Sequence, residues 1–354
     1  MKINHNFYSN LAFNVAEKNL GKTNTNPSVG CVIVKNDSVI SSAVTSINGR
    51  PHAEFNALNK NMDFKGSDMY VTLEPCTHYG LTPPCSNIIK KKKIKNIFYS
   101  FDDPDIRTYQ KAKKVLNKTF KLNGIESEKK DFYKSYFLNK KFKFPLLDAK
   151  LAISKDFYTI NKKEKWITNS RSRKVAHLIR SKYDCIVSTS TSINKDNSLL
   201  NCRIDGLNNF KPDLIIIDRK LKLKKNLKFL NLLNKRKTYI FTSSKNEKKI
   251  LFFKKKNIKI IKINELESKK DFLNLFKKIY LIKKGRVLLE TGLVFLNKLF
   301  KFKLVDNLYL FKSGVLLGNK GYNSSTINFI KKLKIKKKII VNLNGDELFK
   351  IKIK

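Results

Sequence analysis

Glycine is scarce in this chain, 13 of 354 residues, and no G-x-G-x-x-G occurs in its second half. A phosphate cradle of the Rossmann type is therefore not supported there. Cysteine is also sparse: five residues at irregular spacings do not suggest a disulfide scaffold. Metal binding or a reduced core explains them better. No apolar run approaches the roughly 20 residues needed to cross a bilayer. The opening Met1-Lys2-Ile3-Asn4-His5-Asn6 has neither the long apolar run nor the small-residue site of a secretory signal. These absences lead to the expectation of a cytoplasmic protein without a membrane partner. Acidic residues are outnumbered, 28 against 75 Lys and Arg, for a formal charge of +47. The lysines run along the whole chain, as at Lys90–Lys93 and Lys254–Lys256, with no single patch interleaved with aromatics. Lys, Asn and Ile are abundant while Ala, Gly and Arg are few, which reads as compositional bias and a solvated basic surface. Nucleic acid is disfavoured as a partner despite the charge; a positive field would still attract phosphorylated substrates.

What is present is globular: 41% hydrophobic and 11% aromatic residues, in a length that allows two cored domains. Phe7, Leu11, Ala12, Val15, Ala16 and Leu20 recur at helical spacing. Val29–Val34 and Val39–Val44 read as strands across a hairpin turn at 35–38, followed by a helix over His52–Leu58 and a strand at Met69–Leu73. Pro84–Lys92 and Thr108–Leu116 read as helices around a strand at Ile97–Phe101. The pattern restarts near 145, where Lys140–Pro145 reads as a junction. Strands follow at Leu146–Ile153, Cys185–Thr189, Leu214–Asp218, Thr238–Thr242, Val287–Glu290 and Val305–Phe311. Helices are expected at Ser172–Lys182 and near Val294–Phe300, and a terminal hairpin pairs Ile339–Leu343 with Leu348–Ile353. The expectation is two α/β domains, 1–145 and 146–354, with no internal repeat.

The strongest chemistry lies in three segments of the first half, His52-Ala53-Glu54, Glu74-Pro75-Cys76 and Thr82-Pro83-Pro84-Cys85. One His and two Cys suit tetrahedral Zn²⁺ with a fourth position open to water. Glu54, two residues beyond His52, can face that water without ligating the metal, the arrangement of zinc deaminases. Each part alone is weak, since a helix-start His often only caps and a Cys after Pro is often only buried. Jointly they are specific. Cys31, inside an apolar strand, reads as core, and Cys185 and Cys202 carry no signature.

Nucleic-acid deaminases usually place two residues between their cysteine ligands; here eight separate Cys76 from Cys85. That insert, Cys76-Thr77-His78-Tyr79-Gly80-Leu81-Thr82-Pro83-Pro84-Cys85, resembles the bifunctional riboflavin-biosynthesis family. Its members fuse a diaminohydroxyphosphoribosylaminopyrimidine deaminase to a 5-amino-6-(5-phosphoribosylamino)uracil reductase. Asn26-Pro27-Ser28-Val29-Gly30-Cys31-Val32-Ile33 resembles the family's opening motif, which implies that Asn26 contacts the pyrimidine. Leu81 stands where the family usually has a basic residue, and Thr45 where it has a His.

In the second half the resemblance implies a dihydrofolate-reductase-like fold that binds NADPH without a glycine fingerprint. Lys150–Asp156 resembles the opening strand, Trp166-Ile167-Thr168 the cofactor loop, Glu290-Thr291-Gly292 the family's Glu-Gly-Gly strand end, and Leu316-Leu317-Gly318 its closing turn. Arg173, His177 and Arg180 fall at i, i+4 and i+7 on one helix face; such a face is either a solvated basic surface or a phosphate site, and the resemblance favours Arg180 as phosphate ligand. The implied NADPH positions are Ala152, Trp166, Thr168, Ser192, Asp196 and Gly292; the implied substrate positions are Lys150, Arg180, Leu200, Arg203 and Glu290. Phe157-Tyr158, Asn197-Ser198 and Arg219 depart from the family's usual residues. The resulting expectation is deamination of 2,5-diamino-6-(5-phosphoribosylamino)pyrimidin-4-one, then NADPH reduction of the ribosyl group to ribityl, by a homo-oligomer. The alternatives are a deaminase with a merely structural second half, and a nucleic-acid deaminase.

Overall fold

A computed structural model describes residues 4–207, 212–325, 329–335 and 338–354. The chain divides into two compact units, Met1–Phe144 and Pro145–Lys354. Among the described residues no helix is long and apolar enough to cross a membrane.

The first unit runs α1 (His5–Glu17), β1 (Gly30–Lys35), β2 (Ser38–Val44), α2 (Ala53–Leu58), β3 (Asp68–Leu73), α3 (Cys85–Lys91), β4 (Asn96–Phe101), α4 (Ala112–Leu116), β5 (Thr119–Lys121), α5 (Ile125–Lys129) and α6 (Lys134–Phe142). Its strands form one sheet in the order β2-β1-β3-β4-β5. β1 is antiparallel to β2 and β3, whereas β3, β4 and β5 run parallel. Asn36 and Asp37 both take positive φ, 49° and 58°, as a two-residue hairpin turn with right-handed strand twist requires. The period-two alternation of β1 sends its side chains to opposite faces. Val32 and Val34 pack with Tyr8, Ala12 and Val15 of α1. Cys31 and Ile33 join the opposite core with Ala53, Ala57 and Val71, so Cys31 is indeed a packing residue. Gly30 lies beneath α1 so closely that a Cβ there would sit 1.9 Å from the Ala12 carbonyl oxygen.

The second unit contains β6 (Leu146–Ile153), β7 (Ile160–Asn161), α7 (Ser170–Arg180), β8 (Cys185–Thr189), α8 (Ser190–Asp196), β9 (Asp213–Ile217), β10 (Thr238–Thr242), α9 (Glu247–Lys255), β11 (Lys259–Lys262), α10 (Lys269–Leu281), β12 (Arg286–Leu289), α11 (Leu293–Lys301), β13 (Asn307–Lys312), β14 (Gly321–Tyr322) and β15 (Glu347–Lys352). The large sheet has the order β11-β10-β9-β8-β12-β6-β13-β15. All its pairings are parallel except β13 with β15. The inner strands, Cys185–Thr189 and Asp213–Ile217 among them, are almost wholly buried. That explains their continuous apolar, β-branched sequences.

Two expectations need correction. The helix read over Thr108–Leu116 begins only at Ala112, because Gln110 takes φ 54° and the amides of Gln110 and Ala112 turn to the Glu74 carboxylate. The terminal hairpin has one regular arm. Leu348–Ile353 falls on β15, which pairs with β13, whereas Ile339–Leu343 forms no regular strand: Ile339 N–H bonds the Leu348 carbonyl, Lys338 bridges Phe349, and Leu343 bridges Asp346 in the turn, with Ile340 fully exposed. Several elements carried no expectation at all, including α6, α8, α9, β11 and α10.

Candidate active site

His52 is the N-cap residue of α2 and Cys85 the first residue of α3; Cys76 lies in the loop after β3. The ends of these elements bring the three side chains together, with all donor atoms within 4.8 Å of one another. His52 Nδ1 is 3.6 Å from Cys76 Sγ and 3.5 Å from Cys85 Sγ. Zn–N and Zn–S bonds of about 2.05 and 2.3 Å at a tetrahedral angle set N···S near about 3.6 Å. The donor set therefore fits zinc in chemistry and in spacing. Cys76 accepts from the Cys85 backbone N–H at 3.2 Å. Hydrogen bonding with Cys85 draws the Cys76 thiol down to about 4 despite its burial, favouring the thiolate that binds metals.

Glu54 occupies the first turn of α2 and is only 3% exposed. Its Oε2 is buried without a hydrogen-bond partner among the described residues. Burial pushes its carboxyl up to about 7, with the His52 charge opposing. An orphaned carboxylate oxygen beside three side chains able to hold a metal is positioned for a ligand proton.

The surroundings separate pocket residues from supports. Asn26 donates from Nδ2 to the Gly49 carbonyl at 3.2 Å, and Gly49, at φ 89°, leaves no room for a Cβ against it. Thr45 is internal, its hydroxyl accepting from Val29 N–H at 3.0 Å, so it braces β1. Leu81 is 88% exposed. His78 bonds through Nδ1 to the Thr108 hydroxyl at 2.9 Å. Glu74 was not singled out, yet its buried carboxylate accepts from the amides of Asp103, Gln110 and Ala112, fastening the loop after β4 to the cysteine loop. A buried acid at a strand end was its only sequence signal.

In the second unit the carboxyl ends of β6, β8 and β12 gather most of the remaining residues. Glu290 follows β12, where its N–H bonds the Val187 carbonyl of β8. Arg180, at the end of α7, grips Glu290 bidentately, Nε to Oε1 at 2.5 Å and Nη2 to Oε2 at 2.8 Å. Burial opposes ionisation of Glu290, but Arg180 outweighs it and holds the carboxyl below its ordinary range. Arg180 Nη1 donates to the Asn201 carbonyl at 3.1 Å. The guanidinium that the resemblance assigns to the substrate phosphate is engaged here by Glu290 and Asn201. His177 also donates from Nδ1 to Asn201, at 2.8 Å, and burial, with Arg180 and Arg203 nearby, pulls its pKa down to about 4, leaving the ring neutral. Arg173 departs from this group; it stacks 5.0 Å from the Trp166 ring and donates to the Thr168 carbonyl.

Lys150, on β6, lies 5.5 Å from the Phe311 ring centroid, and burial lowers its pKa while Glu290 supports its charge. Arg203 is exposed and donates to its neighbour Asn201 Oδ1 at 2.6 Å. Leu200 is buried with φ 45°. On the cofactor side, Gly292 caps α11 and donates to Ser192 Oγ at 3.2 Å; Ser192 is in the first turn of α8. Thr291 Oγ1 is buried without a partner among the described residues. A helix N-terminus with an orphaned hydroxyl fits a phosphate of a dinucleotide. Trp166 is 52% exposed, Ala152 lies on β6, and Asp196 ends α8 with its carboxyl raised by burial.

Residues 2–101 match the family profile of the cytidine and deoxycytidylate deaminase zinc-binding region, and residues 145–346 that of the RibD C-terminal domain. The riboflavin biosynthesis protein RibD of Aquifex aeolicus is 30% identical over 351 residues, covering 96% of both chains. RibD of Buchnera aphidicola subsp. Baizongia pistaciae is 30% identical over 330 residues, 88% of each. Acinetobacter baumannii RibD superposes with a TM-score of 0.82 at 24% identity over 98% of both chains. The Thermotoga maritima diaminohydroxyphosphoribosylaminopyrimidine deaminase/5-amino-6-(5-phosphoribosylamino)uracil reductase gives 0.82 at 24% identity over 99% of each, a likeness of fold.

Proposed function

This chain belongs to the RibD family of bifunctional riboflavin-biosynthesis enzymes, and from that membership we propose a division of labour between its two units. The enzyme is a deaminase and a reductase, using zinc and NADPH. The first unit is assigned hydrolytic removal of an amino group from 2,5-diamino-6-(5-phosphoribosylamino)pyrimidin-4-one. The second is assigned reduction of the ribosyl group of 5-amino-6-(5-phosphoribosylamino)uracil to ribityl.

The observation that carries the deaminase assignment is the orphaned Glu54 Oε2 beside the His52, Cys76 and Cys85 donors. Zinc held by these three supplies a Lewis acid that makes water nucleophilic near neutral pH. Glu54, whose carboxyl burial raises to about 7, would as carboxylate take one proton from the water and pass it to the ring nitrogen, then take the second from the resulting hydroxyl and pass it to the leaving amine, which departs as ammonia. Asn26, anchored on Gly49, holds the pyrimidine. The eight-residue loop between the cysteines supports a free phosphorylated pyrimidine over nucleic acid as substrate.

In the second unit NADPH supplies the hydride. Ser192, Thr168, Trp166, Ala152, Asp196 and Gly292 are assigned to its side. Lys150, Leu200, Arg203 and the Arg180–Glu290 pair are assigned to the substrate. With Arg180 committed to Glu290, the exposed Arg203 makes the direct phosphate contact and Arg180 adds its field from behind. Three cysteines buried as core and two as ligands accord with a cytoplasmic location, and the family resemblance with a homo-oligomer.

The test is Glu54→Gln. It should keep zinc, measured by metal analysis, while ammonia release falls by about 10²-fold or more. Undiminished release would remove Glu54 from the reaction.

A further inference from the structure

We propose that Arg236, which has no role in the assignments above, is the positioning residue of the substrate segment Leu199–Arg203. Arg236 precedes β10 and is only 6% exposed. It donates from Nη1 to the Leu200 carbonyl, from Nη2 to the Leu199 carbonyl, and more distantly from Nη1 to Pro212 at 3.4 Å. Its Nε is buried without a partner among the described residues. No carboxylate pairs with it among the described residues; Asp213, whose charge acts on it, is engaged by Lys284 at 2.6 Å. A buried guanidinium held by backbone oxygens alone is costly, and burial draws its pKa down to about 9. A surface lysine would have been the cheap choice at this place, so what the arginine does for the carbonyls has to offset that cost.

Those carbonyls belong to a segment without regular structure. Leu200 stands at φ 45°, a left-handed conformation that residues with a side chain rarely adopt. The turn splays three successive carbonyls. Arg236 takes Leu199 and Leu200 on one side, while His177 and Arg180 take Asn201 on the other. Side chains from α7 and from the start of β10 therefore set the shape that presents Leu200 and Arg203. A planar fork can span two adjacent carbonyls, which a single ammonium cannot do with the same geometry. The inference rests on the proposed reductase role of this unit.

Arg236→Lys retains charge and length but loses the fork. In steady-state reduction of 5-amino-6-(5-phosphoribosylamino)uracil, its KM should rise about tenfold, with the KM for NADPH and ammonia release unchanged. In an Arg203→Gln background the same change should add less than about twofold, because the contact it positions is already gone. Equal factors in both backgrounds, or parallel rises in both KM values, would overturn the inference, since a loosened fold does that. Hydrogen exchange over residues 199–207 gives a reading free of activity: Arg236→Lys should speed exchange there and leave β10 protected. Unchanged exchange in that segment would overturn the inference even if the wild type reduces its substrate normally. A wild type that never oxidises NADPH would instead end the reductase reading, with the exchange result still deciding the role of Arg236.

Discussion

Replacing Glu290 by Gln should cost the second unit about 3 kcal/mol, towards the lower end of the 3–5 found for breaking buried pairs. Both partners are largely shielded, at 13% and 9% side-chain exposure, so water cannot replace the lost charge. The glutamine carbonyl still accepts one guanidinium N–H, but its amide group turns two further donors towards Arg180. Arg180 and Lys150 would then lie together without the anion that supports both. The Asn201 carbonyl stays bonded to Arg180, which keeps the loss from being larger. Trp166 is the only tryptophan and belongs to the second unit, so its fluorescence reports urea unfolding there. With a slope of about 2 kcal/mol/M, the midpoint should fall by roughly 1.5 M at unchanged slope. The double variant Arg180→Met/Glu290→Leu should recover part of the loss, because no guanidinium is left unpaired, while Lys150 still lacks the anion that supported it. A midpoint shift below about 0.3 M for Glu290→Gln, or a double variant less stable than the single, would refute this reasoning.

Gly30→Ala should lower the stability of the first unit by about 3 kcal/mol, since the added Cβ meets backbone of α1; calorimetry would show this as a lowered first transition, with reduction of supplied intermediate intact. Cys85→Ser should lose most bound zinc and ammonia release, checked by metal analysis beside the reductase assay. Burial raises Asp184 to about 6, with Lys284 opposing, so the folded chain holds that proton more tightly than the unfolded one. Its contribution to stability is then full below about pH 4 and is lost as pH rises through about 6. Asp184→Asn keeps an acceptor for the Gly285 and Arg286 amides and should flatten that part of the denaturation-versus-pH curve.

The buried strands were legible because their sequences have few other uses. Leu146–Ile153, Cys185–Thr189 and Thr238–Thr242 begin and end where their apolar runs do. The zinc residues were legible for a similar reason: His, Glu and Cys at those spacings form a local chemical pattern on the ends of α2, β3 and α3. Helix α10 escaped notice although Phe272, Leu275, Phe276 and Ile279 lie at helical spacing and Ser268 with Asp271 forms a capping box. Its lysines read as bias, whereas in the fold they are the wet face of an amphipathic helix. Phe157 departs from the family's usual residue, and at φ 67° it occupies the left-handed region that favours glycine. The Arg180–Glu290 pair and the grip of Arg236 on Leu199 and Leu200 join residues far apart in sequence, and no local pattern announces such contacts. The Glu74 anchor is likewise visible only once the chain has folded back on it.

The central claim, two activities in sequence on one chain, is tested most directly by following ammonia and NADPH together. Wild-type protein given the diaminopyrimidine substrate should release ammonia and then oxidise NADPH. Glu54→Ala should do neither until the deaminated intermediate is supplied, and should then oxidise NADPH at the wild-type rate. Ammonia release without NADPH oxidation by the wild type, even with the intermediate supplied, would contradict the account and leave the second unit without a catalytic role.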